Sequence, residues 1–138
     1  MPDQPWSPDV VLVDTSAWIE FFRGTEHPAA ALIDRLLLED RVAITGVIRA
    51  ELLQGARNDA QKAALGRQLA ATVRLPDPAD LWDRVAYLGY TLRRKGFEVR
   101  LPDLAIAVVA TAHEVPLLSL NGHFEAVAGV STLQRVKL

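Results

Sequence analysis

The sequence predicts an α/β fold, a parallel sheet of about five strands with helices on both faces, and three observations predict it. Short aliphatic runs, of which Val10-Val11-Leu12-Val13 is the clearest, lack polar alternation, as strands buried on both faces do. Between these runs lie longer stretches with apolar residues at helical spacing, so that strand and helix alternate. Half of the 138 residues are hydrophobic and 23% are charged, enough for one core in a chain too short for two ordinary domains. A single domain over residues 1–138 is expected, with residues 1–8 a flexible N-terminal extension.

The first strand ends at Asp14-Thr15-Ser16, after which Trp18, Ile19, Phe21 and Phe22 show helical spacing until Gly24 stops them. A second helix is expected from about Ala29 to Leu38, with Ala29, Leu32, Ile33, Leu36 and Leu37 on one stripe. Val42-Ala43-Ile44 reads as a short strand. Thr45 then suits the cap of a helix carrying Val47, Ile48, Ala50, Glu51, Leu52 and Leu53, closed near Gly55. A helix over Ala60 to Ala71 and a strand at Val73-Arg74-Leu75 follow. Asp77-Pro78 is a helix start that runs to Lys95, where Arg93, Arg94 and Lys95 complement the dipole before Gly96. Pro102 opens a helix from Asp103 to His113 that is almost wholly apolar after its first turn. Leu117-Leu118-Ser119-Leu120 is expected as a fourth strand, and Leu133 to Leu138 as a fifth, at an edge.

Charge and composition narrow the function. A net charge of −2 counts against a module that lives on phosphate contacts, although a bound cation supplies positive charge locally. Cysteine is absent, which removes disulfides, thiolate catalysis and Cys-based zinc sites together. The N-terminus has neither a basic start nor an apolar run of signal-peptide type, and no stretch approaches membrane-spanning length; a cytoplasmic location is expected.

Three acids stand where a core should be. Asp14 follows a buried strand, at the carboxyl edge where open parallel sheets bind ligands. Capping the next helix is an equal explanation, although Thr15 or Ser16 can cap in its place. Glu51 shares a helix side with Val47 and Ile48, and an inward carboxylate is costly unless paired, with Arg49, Arg57 or another base, or bound to a metal. Asp103 lies in the first turn of the most apolar helix, a place the dipole favours. Three carboxylates gathered in a dry pocket repel one another, and a hard divalent cation removes that penalty; all-oxygen ligation suits Mg²⁺ or Mn²⁺. His27, His113 and His123 lack zinc-site spacing. Arg93, Arg94, Lys95 and Arg100 either satisfy a helix end or hold a phosphate backbone.

These residues assemble into a known pattern. Val11 to Gly24 resembles the opening of PIN-domain proteins, in particular VapC-type toxins of bacterial toxin–antitoxin pairs. Ala50 to Arg57, Leu101 to Ala107 and Leu117 to Phe124 are similar to that family's second, third and fourth motifs, in order and across nearly the whole chain. The resemblance implies a three-layer α/β/α sandwich and Mg²⁺- or Mn²⁺-dependent cleavage of RNA. It also implies a cognate VapB-like antitoxin and a homodimer. Asp14, Glu51 and Asp103 match the family's acidic ligands, and Thr15 or Ser16 matches a hydroxyl beside the first of them. Asn121 stands where many members carry Asp. Asn121 is either an uncharged ligand through its amide oxygen or the turn residue of Asn-Gly, so one metal is expected to bind well through the three acids and a second weakly or only with substrate.

Three other functions fit less well. A phospho-acceptor domain wants an acidic neighbour for Asp14 and a lysine after the last site strand, and a phosphatase wants an aspartate where Ser16 stands. A PIN scaffold that binds RNA or a partner without cutting fits Asn121 and the acidic balance.

Overall fold

The structure, a computed structural model, describes residues 9–138; the expected N-terminal extension, residues 1–8, lies outside them. Four short strands form one parallel sheet in the order β3-β2-β1-β4. These are β1 (Val11–Val13), β2 (Val42–Ile44), β3 (Val73–Arg74) and β4 (Leu117–Leu118). In register, Leu12 lies opposite Ala43 on one side and Leu117 on the other. All residues of β1, β2 and β4 are buried, which explains their unbroken apolar character.

Helices α1 (Thr15–Phe22) and α2 (Pro28–Leu38) connect β1 to β2, and α3 (Gly46–Gln54) with α4 (Asp59–Ala70) connect β2 to β3. Helices α5 (Leu81–Arg94) and α6 (Leu101–Ala112) carry the chain back across the sheet to β4, and α7 (His123–Gly129) follows. Two crossovers thus step outward from β1 and the third returns to its far side. With right-handed connections, that reversal puts the two sets of helices on opposite faces. It also makes the gap between β1 and β4 the topological switch point, where a crevice opens beyond the strands' carboxyl ends. Helix α6 is the central packing element: every residue from Asp103 to Ala110 is buried.

The edges of the prediction shift for identifiable reasons. The expected fifth strand is a single parallel bridge, Leu117 to Arg135, because β4 offers only two residues as a template. Gln134 O accepts from Leu117 N and Leu117 O from Val136 N, both at 2.9 Å. The fourth strand stops before Ser119, whose hydroxyl accepts the Asn121 N–H at 2.9 Å and turns the chain. Helix α5 begins at Leu81 rather than Asp77, since Pro78 O accepts Leu81 N in a preceding turn at 3.0 Å. Helix α7, too short for a periodic signal, buries Phe124 and Val127.

Thr45, fully buried, caps α3: its Oγ1 accepts from Ile48 N at 3.2 Å. Thr45→Ala is expected to lower stability by about 1 kcal/mol, read as a lower denaturation midpoint with an unchanged denaturant slope.

Candidate metal centre

Asp14 sits at the switch point. Its backbone N–H donates to Leu118 O of the neighbouring strand at 3.0 Å, and its side chain is buried. Oδ1 accepts from Ala17 N at 3.1 Å and from Ser16 Oγ at 2.7 Å. Oδ2 accepts from Ser119 Oγ at 2.5 Å. Asp14 is therefore itself the cap of α1, which settles the open choice between it and Thr15 or Ser16. Those two already lie inside the first turn and serve the acids instead. Ser16 supports Asp14, while Thr15 Oγ1 donates to Glu51 Oε1 at 2.7 Å.

Burial pushes the Asp14 carboxyl above the usual carboxylate range; the hydrogen bonds from Ser119, Ser16 and Ala17 oppose that rise and the negative charge of Asp103 adds to it. Asp14 and Asp103 thus feel each other across the crevice. Asp103 projects from the first turn of α6 with its side chain 6% exposed, and its Oδ2 is buried without a hydrogen-bond partner. Two basic side chains lie just beyond hydrogen-bonding distance of that oxygen: Arg100 Nε at 3.6 Å and His123 Nδ1 at 3.7 Å.

Glu51 comes from α3 and is half-buried. Besides Thr15, it faces Arg100 Nη2, 3.9 Å from Oε2. Its base is thus Arg100, not the nearby Arg49 or Arg57. Among the described residues no three His, Asp or Glu side chains are grouped so as to hold a metal ion as they stand. Hard oxygen donors and one orphaned carboxylate oxygen nevertheless suit a small divalent cation. Asp14 and Asp103 offer them directly, and Glu51 offers them from the α3 side.

The remaining expected residues divide. Asn121 Oδ1 accepts from His123 N at 3.0 Å, so its amide serves the turn into α7. Arg93 pairs with exposed Glu98 at 3.0 Å, and Arg94 lies 5.8 Å over the Tyr90 ring. Of the basic group only Arg100 reaches the acids. Two residues escaped the sequence reading, Ser119 and His123. Ser119 follows β4 as Asp14 follows β1, so the rule that singled out Asp14 applies to it equally. His123 had no spacing signal, because a turn, not a helix face, brings it to Asp103. Beside Glu51 a cleft of about 480 Å³ opens between α1, α3 and α4, lined by Thr15, Ile19, Phe22, Leu52 and Leu65 among others.

The PIN domain family profile matches residues 11–130. VapC ribonuclease Mb1587 of Mycobacterium bovis is 34% identical over 129 residues, covering 91% of this chain and 96% of that protein. Ribonuclease VapC5 of Mycobacterium tuberculosis is 32% identical over 141 residues, covering 96% and 98%. Among solved structures, the VapBC-5 toxin–antitoxin structure from M. tuberculosis aligns with a TM-score of 0.66 at 28% identity, covering 95% of this chain and 100% of that one. The VapBC2 structure from Rickettsia felis shares the fold, with a TM-score of 0.75 at 19% identity over 92% and 97%. Match, fold and crevice agree: the chain belongs to the PIN-domain family, among its VapC-type proteins.

Proposed function

We propose that this chain is a divalent-metal-dependent endoribonuclease, the toxin of a VapBC-type pair, held in check by a VapB-like antitoxin. The observation that carries this reading is the buried pair Asp14 and Asp103 at the switch point, with an Asp103 oxygen that no protein donor satisfies. A buried anionic oxygen without a hydrogen bond is costly, and a cation between the two acids would remove that cost. The names of the relatives support RNA as substrate and the toxin–antitoxin pairing.

Mg²⁺ or Mn²⁺ would be held by Asp14, Asp103 and Glu51, with Asn121 at most an auxiliary ligand. When bound, such an ion offsets the carboxylates' mutual repulsion, polarises a phosphodiester and makes water more acidic. The protein's own contribution is positioning. Ser119, Ser16 and Ala17 N fix the Asp14 carboxylate, and Thr15 holds Glu51. Arg100 stands at the rim, where an RNA backbone phosphate would arrive. The reading extends to a homodimer, for which the likeness to VapC-type proteins is the only support. A scaffold that binds RNA without cutting is the second reading, favoured by the spread of the acids and the uncharged Asn121.

Purified protein with Mn²⁺ and structured RNA separates the two. Cleavage is expected, with Asp14→Asn lowering the rate at least about a hundredfold and Ser119→Ala by about 10- to 100-fold, as for lost outer-shell support; RNA binding without cleavage favours the scaffold. A pH series tests the buried charge. Because folding raises the Asp14 pKa, its stabilising contribution is complete below the ordinary carboxylate range and is lost as pH rises through the raised folded value. In metal-free buffer Asp14→Asn is therefore expected to melt higher than wild type at neutral pH, by a margin that vanishes on acidification. Added Mn²⁺ should stabilise wild type and leave Asp14→Asn nearly unmoved.

A further inference from the structure

Arg100 occupies an unusual position. It is the residue before α6, with an extended backbone (φ −67°, ψ 151°), and its guanidinium spans two acids from different elements. Nη2 is 3.9 Å from Glu51 Oε2 on α3, and Nε is 3.6 Å from Asp103 Oδ2 on α6. Neither contact is a hydrogen bond, and Asp103 Oδ2 stays unsatisfied beneath it. The arginine side chain is 65% exposed, whereas that of Asp103 is 6% exposed. The guanidinium thus neutralises charge from the solvent side without completing the coordination of the oxygen below.

Resting on the metal-dependent reading above, we propose that Arg100 is a built-in counter-cation: it stands between Glu51 and Asp103 in the metal-free protein and is displaced when a divalent ion binds there. Three features make the exchange feasible. Loose, exposed ion pairs are weak, so the arginine leaves easily. A compact divalent ion carries twice the charge and can reach a buried oxygen that the planar guanidinium only approaches. The long arginine stem keeps the released group at the rim, and its forked donors match a phosphate bidentately. Metal entry would then free the very cation that the RNA backbone needs, so an unloaded site offers substrate one positive group fewer.

The design predicts opposite effects on metal and RNA from one substitution, which a merely structural role would not produce. Titration calorimetry with Mn²⁺ should give roughly fivefold tighter binding for Arg100→Gln than for wild type, the factor that breaking one unit-charge ion pair at about 4 Å in water corresponds to. Arg100→Lys keeps the competing charge and should bind Mn²⁺ about as wild type does. At saturating Mn²⁺, Arg100→Gln should need more RNA for half-maximal cleavage. Equal or weaker Mn²⁺ binding by Arg100→Gln overturns the proposal while leaving the metal-dependent reading intact. If wild type and both variants bind no Mn²⁺, the metal-dependent reading fails and this inference with it.

Discussion

The constraint on which this molecule turns is the burial of the Asp14 carboxylate between the carboxyl ends of β1 and β4. Removing a charge from water is expensive, and here a backbone amide, two hydroxyls and the positive end of α1 offset only part of the cost. Each of those donors fixes something else in turn. Ala17 N starts α1, Ser16 Oγ also accepts Leu120 N at 3.0 Å, and Ser119 Oγ accepts Asn121 N. One carboxylate therefore ties a strand, a helix start and the loop leaving β4 into a single rigid corner.

Around that corner, burial and negative charge pull against each other. Asp103 raises the cost of charging Asp14, and among the described residues nothing hydrogen-bonds to the Asp103 Oδ2 atom. A fold selected for stability alone would place an amide or an apolar group there. The protein keeps the acid and softens its field with Arg100, largely exposed and held beyond hydrogen-bonding distance.

What the sequence made legible is what depends on burial and on local chemistry. The unbroken aliphatic run of β1, the apolar length of α6 and the inward acids were readable because each breaks or fulfils a periodic pattern. Asp14, Glu51 and Asp103 stood out as acids at the margins of buried elements, and Asp14 and Asp103 lie near enough for the charge of one to act on the other; that Glu51 turns toward Thr15 and Arg100 depends on rotamers, which leave no trace in residue order. Ser119 and His123 were hidden because their partners lie in distant elements. The edge of the sheet was overread for a related reason. Leu133 to Leu138 contains aliphatic residues enough for a strand, but a strand needs a neighbour of matching length, and β4 provides two residues.

The hydrogen bond from Ser119 to Asp14 joins positions 105 residues apart. On a ribosome, the corner around Asp14 therefore waits for β4 and the loop beyond it to emerge, long after β1 and α1 have been made. Synthesis order thus imposes a delay on the protein's own chemistry: a nascent or prematurely terminated chain lacking β4 has the acids in its sequence but no corner to hold the first of them.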